Sequence, residues 1–276
     1  MFEFIAEALT DTLRALPFLF FAYVLIEYME HHVNLQFLQR LMTHNRLGIV
    51  VGALLGVIPQ CGFSVTAANF YTSRLISAGT LAAVFLATSD EAIPILIAEP
   101  GMLPVVWKMI LLKLIIAIAA GILLDMVWKK KEKHEMFHEL CHDCHCEERS
   151  FIRSAAYHTL KLGIFLLVVN LILGGLMEFA SGNVIRKMFL DGNAFQPFLT
   201  ALIGLIPNCA ASVALTELYL EGHIAFGSLA AGLCSGAGLG IAVLFRTNKS
   251  RKENLIILGW LYLSAVVAGG LINVFL

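Results

Sequence analysis

Six apolar stretches of roughly twenty residues dominate the sequence, and a helix of that length crosses a hydrocarbon core of about 30 Å. They are Leu13–Met29, Ile76–Ala98, Leu103–Val127, Ala156–Phe179, Ile224–Phe245 and Leu255–Phe275. Composition agrees: 14% of the 276 residues are charged, where a soluble domain carries about 25%. Most of the chain therefore has lipid as its solvent. A formal net charge of -1, with no basic face, excludes nucleic acid as a partner. The segment before Met29 lacks a basic n-region and a small-residue cleavage site. It opens with Glu3, Glu7 and Asp11, so it reads as a retained helix and not a signal peptide.

Two further apolar stretches, Gly48–Tyr71 and Phe195–Tyr219, are broken near their middles by Pro59 and Pro207. Each half is about eleven residues, near 16 Å as helix, too short to span. The two stretches are also copies of each other. A shift of 148 positions lays Ala53–Ile97 on Ala201–Phe245 without a gap. It matches Gly56-Val-Ile-Pro-Gln-Cys61 with Gly204-Leu-Ile-Pro-Asn-Cys209, Ser64 with Ser212, Tyr71 with Tyr219, and Gly79-Thr-Leu-Ala-Ala83 with Gly227-Ser-Leu-Ala-Ala231. Chance apolar similarity would not place Pro, Cys, Ser and Tyr in one register.

Lys and Arg placement sets orientation. Lys129–Lys133, Arg149 and Arg153 mark the central tract as cytoplasmic. So do Arg246–Lys252 for a second loop, and Arg40, Arg46 and Arg74 for two more. The Glu99–Pro104 and Glu221–His223 turns, without Lys or Arg, read as external. These assignments agree when each Pro-broken stretch returns to the side it entered, with Arg186 and Lys187 the one dissent; a full crossing at each break is the alternative, giving parallel repeats with the acidic N-terminus inside. The expected fold is an all-α polytopic membrane protein of two inverted repeats, each with three crossings and one Pro-broken re-entrant hairpin, giving ten helical segments. The first repeat is 1–128, a cytoplasmic His/Cys-rich linker 129–153, and the second repeat 154–276. Inverted repeats with broken helices form a secondary-transporter architecture, with the binding site near the midplane.

Asp90 and Glu91 lie inside an apolar segment, where ionisable groups are costly and functional by default. They suit a cation site or a proton relay; the plainer alternative is a structural ion pair with Lys113. The second repeat has Gly236-Ala-Gly238-Leu239 at the matching positions, so charge would come from the first repeat and close backbone approach from the second. The tips offer Gln60, Cys61 and Ser64, and Asn208, Cys209 and Ser212, as substrate contacts; alternatively these side chains only cap the Pro breaks. Ser89 adds a hydroxyl. Asn69 and Glu217 correspond under the shift and are candidates for a water-filled path. Glu27 and His31 share a helix face, more in keeping with a solvated helix end than a metal site. Cys234 reads as helix packing.

The linker reads His134-Glu-Met-Phe-His138-Glu-Leu-Cys141-His142-Asp-Cys144-His145-Cys146. This density of His and Cys points to metal. Imidazole and thiolate favour Zn²⁺ or another soft ion over Mn²⁺. His134-Glu135-x-x-His138 also spells the zincin motif, but no domain surrounds it to supply a third ligand, so a membrane metalloprotease is a remote alternative. No Walker A motif is present, which argues against ATP-driven pumping by this chain alone.

The paired Gly-x-Ile-Pro-Gln/Asn-Cys segments, Ala87-Thr-Ser-Asp-Glu-Ala-Ile-Pro94 and Leu218-Tyr-Leu-Glu-Gly222 resemble the ten-helix heavy-metal exporter family, commonly labelled manganese transporter or arsenic efflux protein. The resemblance covers nearly the whole chain. It implies a multi-pass permease of a prokaryotic inner membrane that exports a metal or metalloid. The leading expectation is gradient-driven efflux of Mn²⁺ or a related divalent ion, bound by Asp90 and Glu91 with neutral oxygens from Gln60, Asn208, Ser64, Ser89 and Ser212. Arsenite would instead draw on Cys61, Cys209 and Cys234, and an organic anion on the helix N-termini at the tips. No cofactor is required; Mn²⁺ at the transport site and Zn²⁺ at the linker are the bound metals expected. The partners expected are the transported ion and the lipid bilayer, with a homodimer left open.

Overall fold

The computed structural model describes residues 9–10, 12–13, 16–17, 20–21, 24, 46–58, 61–88, 92–128, 156–157, 159–160, 163–165, 167–168, 171–172 and 195–275. Pro59, Gln60, Ser89, Asp90, Glu91, the linker residues 134–146, Glu27, His31, Arg186 and Lys187 lie outside the described residues, as do the side chain of Cys61 and much of the stretches 13–29 and 156–179. Every described element is a helix. In chain order they are α1 Arg46–Gly56, α2 Cys61–Thr72, α3 Ala78–Ala87, α4 Ala92–Ala98, α5 Leu103–Val127, α6 Gln196–Gly204, α7 Cys209–Leu220, α8 Phe226–Ser235, α9 Leu239–Thr247 and α10 Arg251–Phe275.

Among the described residues, four stretches are long and apolar enough to cross a membrane: Ala78–Ala98, Leu103–Val127, Phe226–Thr247 and Arg251–Phe275. Two of them correct the sequence reading, which took Ile76–Ala98 and Ile224–Phe245 as continuous helices. The first is α3 then α4, the second α8 then α9. In the second, Gly238 has φ +50°, a conformation open to glycine and strained for most other residues, so the helix stops and restarts there. In the first, Pro94 falls in the opening turn of α4, where a missing N–H costs nothing.

The 148-residue shift extends to packing. α1 lies on α3 and α3 on α5, as α6 lies on α8 and α8 on α10. The close approaches correspond atom for atom. A Cβ on Gly79 would collide with the Gly121 carbonyl, and one on Gly227 with the Gly269 carbonyl. One on Gly56 would meet the Val84 carbonyl, and one on Gly204 the Gly232 carbonyl. Lipid gives apolar helices no hydrophobic reason to associate, so such backbone-level contacts carry the packing. The α3 start is capped by Ser77, whose hydroxyl oxygen accepts from the Thr80 N–H at 3.0 Å, and reinforced by Asp125, whose carboxylate accepts from the Gly79 N–H and the Ser77 hydroxyl, both at 2.6 Å. Asn273, at the shifted position, donates to Ser228 at 3.0 Å at the start of α8.

The turns after α2 and α7 are also equivalent. Leu75 N–H donates to the Phe70 carbonyl and His223 N–H to the Leu218 carbonyl, each at 2.9 Å, a Schellman-type closure. The left-handed position of that closure is Gly222 (φ +77°) in one repeat and Arg74 (φ +59°) in the other.

The ends meet in a fixed order. Thr72 and Thr247 hydroxyls are 2.9 Å apart, and Arg74 pairs with Glu253 at 3.1 Å. The α2–α3 turn therefore lies beside the α9–α10 connection. At the opposite end the Lys108 ammonium sits 5.2 Å from the Phe226 ring centroid, and Tyr219 and Leu220 pack on Ile93, Leu96 and Val106.

Candidate functional site

The second tip is built by capping. Pro207 ends the helical path after α6, and Asn208, in extended backbone, restarts it: its side-chain oxygen accepts from the Ala210 N–H at 2.9 Å. Ser212 donates to the Cys209 carbonyl at 2.7 Å. Asn208 thus does the job that the plainer sequence reading gave it, satisfying a backbone N–H freed at the break, while Ser212 bonds back to a carbonyl within α7. Their remaining lone pairs are still available to a ligand.

These same residues wall a narrow crevice. Asn208 and Ser212 line it from the tip, Gly236 and Gly238 from the α8–α9 break, Leu233 from the end of α8, and Thr88 from the end of α3. Three breaks, two from the second repeat and one from the first, therefore face one space. Gly236 and Gly238 are there as the sequence analysis anticipated, presenting backbone without side chain.

Lys113 closes the arrangement. It sits at mid-length of α5 with 0% exposure. Its ammonium donates to the Thr88 carbonyl at 2.5 Å and to the Leu233 carbonyl at 2.6 Å. The carbonyls of a helix's last turn lack intrahelical donors and carry the negative end of its dipole. The ends of α3 and α8 are both aimed at this one cation, which offsets a burial cost of several kcal/mol. Sequence reasoning had flagged Lys113 only as a partner for carboxylates. That it bridges the two repeats through backbone oxygens has no sequence signal.

The other candidates are dispersed. Ser64 is fully buried on α2, with Gly240 of α9 so near that a Cβ there would meet the Ser64 Cβ at 2.8 Å. Asn69, also on α2, is 2% exposed, and neither atom of its amide has a hydrogen-bond partner. Glu217 is exposed on α7. Cys209 and Cys234 are buried thiols outside any disulfide. Among the described residues no three His, Cys, Asp or Glu side chains gather into a metal-holding group; Asp90, Glu91 and the linker lie outside that set. The crevice wall has no charged side chain; Ile206, Ala211 and Leu233 make much of it apolar, and Asn208, Ser212 and Thr88 put polar side chains in it, oxygen groups of the kind hard divalent cations accept once carboxylates are added.

Comparison with known proteins assigns the family. The model of a family described as "Putative, 10TM heavy-metal exporter" matches residues 2–189, about two-thirds of the chain. No curated protein and no solved structure matches. The match spans the first tip motif, the Asp90-Glu91 segment, α5 and the linker. The chain is a multi-pass membrane protein and belongs to this heavy-metal exporter family.

Proposed function

We propose that the chain is a secondary transporter that exports a divalent metal ion of the Mn²⁺ kind, driven by an ion gradient, through the crevice where the helix breaks converge. The observation that carries this reading is the crevice itself, with Thr88 in its wall and Asp90 and Glu91 next but one and next but two after Thr88 in the chain. Those carboxylates bind the ion or exchange protons for it. Asn208 and Ser212, with Gln60 and Ser89, add neutral oxygens, a hard set suited to Mn²⁺. Ser64, packed against α9, is left out of this set.

Opposed orientation of the repeats is supported by which ends touch. The start of α3 lies with the end of α9, and the start of α5 with the start of α8. Read with the Lys and Arg distribution, this favours two inverted repeats, re-entrant tips, and a cytoplasmic linker in a prokaryotic inner membrane. The His/Cys tract there would take Zn²⁺ or another soft ion, apart from the transport site.

Reconstituted protein in liposomes, assayed for Mn²⁺, Zn²⁺ and arsenite uptake with and without a pH gradient, tests the reading. Saturable Mn²⁺ flux that Asp90→Asn abolishes in a folded protein is the expected result. Undiminished flux in Asp90→Asn removes the carboxylate from the mechanism. Arsenite flux that depends on Cys61, Cys209 and Cys234 would replace the divalent ion with a metalloid.

A further inference from the structure

The two repeats use the same helices in the same order, yet one pair of counterparts is packed and the other is not. α2 runs against α9 over its length, whereas α7 only brushes α4. The difference falls on residues related by the 148-residue shift. Asn69 and Ser73 on the first repeat are 2% and 5% exposed. Glu217 and Glu221, at the equivalent positions, are exposed. A carboxylate turned to lipid is costly, so Glu217 belongs on a water-filled side.

The packed side joins Val65 and Ala68 of α2 with Leu239, Val243 and Leu244 of α9 in one buried apolar cluster, and carries polar flaws beside it. Both polar atoms of the Asn69 amide and the Ser73 hydroxyl are buried without a hydrogen-bond partner. Buried polar groups are normally satisfied, and water would satisfy these three at once if α2 and α9 parted. Besides the apolar contact, polar bonds close the rim. Arg74 and the Tyr71 hydroxyl both donate to one oxygen of Glu253, each at 3.1 Å, and Thr72 bonds Thr247 at 2.9 Å. Arg74 does this from a left-handed backbone conformation that the other repeat gives to Gly222. An arginine stands in a glycine's place, with its guanidinium on Glu253 and over the Tyr71 ring.

We propose that the structure is the transporter with its path shut on the Arg74 side, that Asn69 and Ser73 line the shut half of the path, and that Arg74, Tyr71 and Thr72 with Glu253 and Thr247 form the latch. Opening separates α2 from α9, hydrates Asn69 and Ser73, and brings α7 onto α4, covering Glu217. The proposal rests on the transporter reading but not on the identity of the ion.

The test is chemical labelling of Asn69→Cys by a membrane-impermeant maleimide, read by peptide mass spectrometry at position 69 so that native cysteines do not interfere. Position 69 should label slowly in the otherwise native protein. Arg74→Ala or Glu253→Ala should raise the rate roughly fivefold, a population shift of about 1 kcal/mol. The charge exchange Arg74→Glu with Glu253→Arg should return it toward the starting value. Glu217→Cys should change in the opposite sense. Should the Arg74 and Glu253 variants lose their fold, Thr247→Val and Tyr71→Phe weaken the same latch more gently and carry the same expectation. Labelling at position 69 that stays slow in every folded latch variant overturns the proposal, as does labelling at positions 69 and 217 that moves in parallel. Reciprocal labelling without any metal flux would uphold the gate while ending the metal reading.

Discussion

At the scale of the residue, Arg74 and Lys113 show how local cost reports on purpose. A left-handed conformation costs a non-glycine residue roughly 1–2 kcal/mol. The Arg74–Glu253 pair, with the arginine side chain 38% exposed, returns at most about 1 kcal/mol. Burial pulls the Arg74 guanidinium down, and the hydrogen bond and charge of Glu253 outweigh it and hold it above its ordinary value, so it stays charged at any working pH. Stability alone would favour glycine. Arg74→Gly is therefore expected to leave the melting temperature in detergent unchanged or slightly higher; a clear fall would make the pair a structural necessity and not a latch. Lys113 is the opposite case. Lys113→Ala leaves the Thr88 and Leu233 carbonyls facing a void, and should destabilise by about 2–5 kcal/mol from cavity and lost hydrogen bonds together. Lys108→Ala, which removes only a surface cation from the Phe226 ring, should cost under about 1 kcal/mol. Thermal unfolding of the two variants side by side tests the contrast.

Among the elements, the glycine contacts decide whether the helices can meet. A Cβ on Gly269 would lie 2.5 Å from the Gly227 carbonyl and 2.5 Å from Ala231, while Gly270 next to it has nothing within 4 Å. Gly269→Val is expected to drive α8 and α10 apart, at a cost above the roughly 1–3 kcal/mol typical of overpacking, because backbone and not a flexible side chain is in the way. Gly270→Ala should be neutral or slightly stabilising, since alanine favours helix. The yield of monodisperse protein separates these outcomes. Asp125→Ala, which removes the acceptor of the Gly79 N–H and the Ser77 hydroxyl but leaves the Ser77 cap on Thr80, should cost about 1–2 kcal/mol, and Asp125→Asn less, given that the other repeat manages with Asn273.

For the whole molecule, the arrangement of ends makes a topological prediction. The α4–α5 turn and the α9–α10 connection lie at opposite ends of the bundle, so Gly101→Cys and Ser250→Cys should react with an impermeant thiol reagent from opposite faces of intact cells. Reaction of both from one face would overthrow the opposed orientation and the gate with it. Only the ends bear on this; the apolar middle of the chain is indifferent to direction.

The amino-acid sequence by itself determined the solvent, the helical class, the doubled architecture and the family. Each of these depends on composition, on the length of apolar stretches, or on motifs repeated in register. Pro59 and Pro207 announced the breaks between α1 and α2 and between α6 and α7, because proline lacks the N–H a helix needs. The breaks after Ala87 and Ser235 stayed hidden, because a stretch of adequate hydropathy looks continuous and Gly236 and Gly238 are tolerated in membrane helices. Tertiary structure alone decided that Asn208, Ser212 and Thr88 share one space, with Lys113 bonded to the Thr88 and Leu233 carbonyls, while Ser64 and Asn69 lie on a helix packed against α9. It alone decided that equivalent positions in the two repeats differ in exposure. A repeat in sequence prescribes the same elements twice, but the way they pack against each other is a property of the assembled whole, and one sequence can hold two such packings of nearly equal free energy.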